Sequence, residues 1–123
     1  KLNKTNGPTA FVMPMRGWSA YDQPESTATR ERGWAKGNGD GPVWEPDEQY
    51  PRWSRRATLM WKLMKELLDP SKVDLIATDY HILDPEFADL METIVWDMIS
   101  DRWEIGRYDS YSDRILAYGD YEH

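Results

Sequence analysis

Two stretches of this chain repeat apolar residues every three or four positions, and the repeat predicts two helices. From 52 to 69, Trp53, Ala57, Met60, Met64 and Leu67 fall on one line, Leu63 and Leu68 widen it, and Lys62, Lys65 and Glu66 lie on the other side. Pro51 stands near the start, where its missing N–H costs nothing. Asp69-Pro70 closes the stretch, because a residue before proline avoids helical geometry. The second stretch runs from 85 to 104. Asp84 can cap it, Pro85 suits its first position, and Glu86 complements the helix dipole. Phe87, Met91, Ile94 and Met98 form one line that Leu90, Val95, Trp96, Ile99 and Trp103 widen. So wide a stripe predicts burial on more than one side, and Gly106 marks the stop.

The segment between them carries two conflicting signals. Ser71-Lys72-Val73-Asp74 looks like a capping box that opens a short helix through Thr78, whereas Val73 to Ile76 could instead make a brief strand. Residues 79–83 form a connection. After Gly106, Tyr108, Tyr111, Ile115 and Tyr118 keep a spacing of three and four, with Ser112 as a cap and Gly119 as a stop for a short helix.

The first 51 residues lack either period. They hold six of the eight prolines and six of the eight glycines, together with Trp18, Trp34 and Trp44. Phe11-Val12-Met13 could make a short extended strand ended by Pro14, and Ser26 to Arg32 one or two helical turns. Arg16-Gly17-Trp18 and Arg32-Gly33-Trp34 repeat one motif, with glycine allowing a bend between two residue types enriched at interfaces. The expected fold is therefore mainly α: a small helical hairpin of two main helices plus short helices, with a long irregular N-terminal arm. The expected division is an arm over 1–51 and a small helical domain with a Tyr-rich tail over 52–123.

Composition sharpens this picture. The chain is 30% charged with a mean hydropathy of −0.79, yet 13% aromatic. A disordered chain of such polarity lacks aromatic residues, so the combination points to a surface that is covered on association. The net charge of −7 is unevenly spread. Residues 52–69 carry a local excess of +3 and residues 70–123 an excess of −9. The acidic second half repels phosphate backbones, so no nucleic-acid partner is expected, and Arg52, Arg55 and Arg56 are too few to reverse that. No cysteine is present, which removes disulfides and thiolate metal sites and leaves the compartment open, with the cytoplasm favoured. No apolar run reaches the roughly 20 residues that span a bilayer. Lys1 rather than methionine opens the chain, which is compatible with a removed leader.

Candidates for chemistry are few. His81 with Asp79 and Asp84 is conceivable as a metal-dependent catalytic site, although the spacing matches no motif with a mechanical reason. Asp97, Asp101 and Glu104 share a helix face that reads as solvated. Gly37-Asn38-Gly39-Asp40-Gly41 lacks the ending of a phosphate loop and the glutamate of a calcium loop, so it reads as a turn. Asn3-Lys4-Thr5 matches a glycosylation acceptor by chance. No cofactor, bound metal or catalytic residue is expected.

These features favour a non-catalytic accessory subunit that wraps and stabilises a larger protein subunit, the main chain being catalytic, in a hetero-oligomer without a membrane span. The expected partner-binding residues are Arg16, Trp18, Arg32, Trp34, Trp44, Trp53, Tyr108, Tyr111 and Tyr118. The layout is similar to the small helical subunits that cover the active site in some two-component oxygenases, a likeness of arrangement without a shared motif, and implies an oxidoreductase as the main enzyme. The alternatives are the small His81 enzyme and a module whose aromatic surface binds planar ligands.

Overall fold

The computed structural model describes residues 1–19 and 44–107. A 3-10 turn (Leu2–Lys4) leads into strand β1 (Ala10–Pro14). Helix α1 (Arg55–Leu67), strand β2 (Asp74–Thr78) and helix α2 (Pro85–Ile99) follow. β1 and β2 pair in parallel, with Ala10 opposite Asp74 and Pro14 opposite Thr78. The expectation of a mainly α, all-α helical hairpin is therefore overturned. Among the described residues this is a mixed α/β unit, and the arm expected to be irregular supplies β1 where Phe11-Val12-Met13 had suggested a short strand.

The register explains the correction. Parallel strands cannot be joined by a tight turn and need a long crossover, here one that contains α1. Each strand is covered on both faces, so its residues read as continuous apolar runs that resemble helix or loop as easily as strand. Phe11 and Met13 of β1, with Leu75 and Ala77 of β2, join the cluster on the α1 side, where Met15, Trp53 and Ala57 are also buried. Ala10, Val12 and Ile76 join the opposite cluster, built with Leu90 and Ile94 of α2. Two strands alone are marginal in water, so these two helix-facing clusters hold the sheet.

Pro14 fits this strand for a specific reason. Met15 N–H donates to the Thr78 carbonyl at 3.0 Å. Successive N–H groups point to opposite edges, so the missing N–H of Pro14 falls on the edge away from β2, where no ladder bond is lost. Inside the sheet, Thr78 Oγ1 donates to the Met13 carbonyl at 2.9 Å, satisfying a buried hydroxyl.

Local signals explain the remaining boundaries. Of the two readings of 71–78, the strand is found and the short helix is not, because Asp69 captures the capping serine. Its Oδ1 accepts from Ser71 N–H and Ser71 Oγ at 2.9 and 2.7 Å, forming a turn that delivers the chain into β2 at Asp74. α1 is shorter than the apolar line, since Trp53 and Ser54 precede it in a turn where Ser54 bridges Pro46. α2 stops at Ile99 and not at 104. Asp101 takes a positive φ of 60°, a conformation aspartate tolerates at a helix end, and Arg102 N–H returns to the Asp97 carbonyl. Asn3 ties the N-terminus to the end of α1: its Nδ2 donates to the Leu67 carbonyl and its Oδ1 accepts from Asp69 N–H, both at 2.8 Å.

Candidate functional site

The parallel strands end together, and the residues just beyond them converge. Pairing continues past both strands. Arg16 N–H donates to the Tyr80 carbonyl, Gly17 bridges His81, and Ile82 N–H donates to the Gly17 carbonyl. This brings Arg16 to Asp79, 63 positions apart in sequence. Arg16 Nε donates to Asp79 Oδ1 at 3.0 Å and its terminal nitrogen to Oδ2 at 2.9 Å, the two-point fork that suits a planar guanidinium. Trp53 Nε1 donates to the same Oδ1 at 3.0 Å, and Trp44 Nε1 to the Arg16 carbonyl at 3.2 Å.

Four expected partner-binding residues are thus gathered into one place inside the chain. Arg16 clamps Asp79, Trp18 packs against the α1-side cluster, Trp44 holds the Arg16 backbone, and Trp53 is only 3% exposed. Arg32, Trp34, Tyr108, Tyr111 and Tyr118 lie outside the described residues. The clamp joins the ends of β1 and β2 to the turn before α1 and commits Asp79 to three donors.

His81 is buried beside this clamp. Its backbone N–H donates to Asp84 Oδ2 at 2.8 Å, and its ring Nδ1 accepts from Leu83 N–H at 3.1 Å. A neutral ring therefore carries its proton on Nε2. Asp79 serves Arg16 and Trp53 while Asp84 serves the His81 backbone, so the three residues of the candidate metal site face different tasks. Among the described residues no group of three or more acidic or histidine side chains is placed to hold a metal ion.

Asp97 also departs from expectation. It is buried and not on a solvated face, with Arg102 Nε at 3.4 Å and Arg107 Nε at 3.2 Å from its carboxylate. The pair folds the chain after α2 back over that helix, with Trp103 packed on the α2-side cluster.

Two surface features were hidden in the sequence. The first is a row on each helix that faces outward. On α1, Leu59, Leu63 and Leu67 recur every four residues and are each about half exposed. On α2, Met91, Val95 and Ile99 also recur every four residues, beside Trp96, with exposure rising along the row from 36% at Met91 to 72% at Ile99. The breadth of the apolar stripe was the signal, since one helix side cannot hold it all. The second is a groove of about 690 Å³ beside α1 and the start of β2, whose lining includes Tyr50, Trp53, Trp61, Met15, Val73 and Leu75.

Comparison with protein-family models, with curated proteins and with solved structures found no match to this chain. Among the described residues no helix is long and apolar enough to cross a membrane.

Proposed function

We propose that this chain is a non-catalytic accessory subunit that packs into a larger protein assembly. The observation that carries the reading is the pair of outward apolar rows, one on each side of a thin sheet. A monomer seldom leaves continuous apolar surface on two opposite sides, and such surface marks contact with another protein. Burying a fully exposed large apolar side chain stabilises by about 2 kcal/mol; these seven are roughly half exposed, so each adds about 1 kcal/mol on contact, set against ordering costs. Because α1 and α2 cover opposite faces, the assembly reaches the chain from both sides. Trp34, Arg32 and the tyrosines of the tail remain candidates for the same contact. The likeness to helical oxygenase subunits rested on a helical hairpin and lapses with it.

The test is sedimentation velocity on the full chain, with Leu59→Glu/Leu63→Glu on α1 and Val95→Glu/Ile99→Glu on α2. The isolated chain should self-associate or precipitate. Each double variant should shift it towards a soluble monomer without lowering its unfolding midpoint, because these side chains do not contribute to the core. A photo-crosslinking residue at position 63 or 95 should then trap a protein neighbour in the native source. A monodisperse wild-type monomer that crosslinks to nothing from either position would remove the proposal.

A further inference from the structure

The groove beside α1 combines aromatic walls with cations at its rim. Tyr50 and Trp53 lie with ring centroids 4.2 Å apart and planes tilted by 31°. Trp61 presents its indole nearby, with Lys65 Nζ 5.6 Å from its ring centroid. Lys62 lines the same side and, like Lys65, is exposed. Two carboxylates also line the groove, but both are turned to internal donors. Asp47 accepts from Gln49 N–H, Tyr50 N–H and Thr58 Oγ1 at 3.0, 3.0 and 2.6 Å. Asp74 is buried and accepts from Gly106 N–H at 3.1 Å.

From this arrangement we infer that the groove is a binding site for a small planar aromatic anion. Its volume lies within the roughly 300–1,000 Å³ common to small-molecule sites. Trp53 is buried and backs Tyr50, so a flat ring rests on the partly exposed Tyr50 and Trp61 and gains offset stacking there at little ordering cost. The lysines then meet a carboxylate, sulfonate or phosphate at the ring's edge, near the surface where water still reaches both. Leu59, Leu63 and Leu67 do not line the groove, so it is separate from the outward row of α1. The site stands whether or not the chain is an accessory subunit.

The test titrates the full chain with two probes of nearly equal shape, the anion 8-anilinonaphthalene-1-sulfonate and the uncharged N-phenyl-1-naphthylamine. Both should bind the wild type at one site. Lys62→Glu/Lys65→Glu should weaken the sulfonate by about tenfold and leave the neutral probe unchanged, which also shows the groove intact. Met64→Trp, which fills the groove from α1, should weaken both probes while the unfolding midpoint is retained. Leu59→Glu/Leu63→Glu should alter neither. Failure of both probes to bind, as when another part of the chain or a neighbour occupies the groove, overturns the proposal. So does binding that falls with the leucine variant and not with the lysine or methionine variants.

Discussion

α1 and α2 each lay one side on a face of the sheet and turn a row of apolar residues outward, yet they are finished differently. α1 carries Arg55, Arg56, Lys62 and Lys65 against one glutamate, and a groove opens along its inner flank. α2 has no lysine or arginine, and the chain that follows it is drawn back by Asp97. Their C-terminal ends differ as well. The end of α1 is held by Asn3 and by the exposed turn at Asp69, whereas a buried carboxylate holds the chain beyond α2. Similar apolar periodicity therefore served three purposes. One part of each stripe makes the core, a second faces outward, and in α1 a third lines a cavity.

The sharpest way to break this comparison lies within α2 itself. Ile94 is 2% exposed against the sheet and Ile99 is 72% exposed. Ile94→Ala should lower unfolding stability by about 2–5 kcal/mol in denaturant titration, since it removes buried methyl groups and leaves a cavity. Ile99→Ala should stay within about 0.5 kcal/mol. Equal losses at both positions would mean that the outer row is covered within the chain, and the subunit reading would lose its support.

The next effect concerns the end of α2. Asp97→Ala removes the carboxylate shared by Arg102 and Arg107 and should cost about 2 kcal/mol, as expected for charge-assisted bonds to a buried group. Both arginines reach solvent, so the loss should be smaller than for Ile94. Hydrogen exchange should rise over residues 101–107 and remain unchanged in α1. Uniform loosening across both helices would contradict the separate closure of the two ends.

Much of this contrast was legible in the sequence. Asp84-Pro85-Glu86 marked the start of α2, and the apolar spacing marked both helices. Phe11 to Met13 suggested a strand, but its partner lies more than sixty residues away, and no local pattern announces a parallel pairing. Arg16 and Asp79 were each visible as single residues; only the pairing of the strand ends makes them a clamp. Ser71 misled because the same serine that can cap a helix can also be taken by an aspartate two residues earlier. The width of the α2 stripe predicted burial on more than one side without saying which side met the sheet. Periodicity measures direction around a helix and carries no information about what stands there.

The smallest expected effect isolates the end of α1. Hydrogen bonds from the side chain and then the backbone of Ser71 hold the Asp69 carboxyl below the usual aspartate value, against an opposing contribution from burial and with lesser help from the charge of Lys72. A depressed carboxylate pKa stabilises the folded state above the unfolded value, and that contribution fades as pH falls through the lowered value. Ser71→Ala removes the largest cause, so NMR titration should move the Asp69 pKa upward towards the ordinary range. Since the group lies at the surface, the unfolding midpoint at neutral pH should hardly change. The amides of α2 should show no response at all. A shift at Asp97 or Arg102 on this substitution would reveal that the two helix ends are coupled through the sheet, and the comparison would have to be redrawn around that coupling.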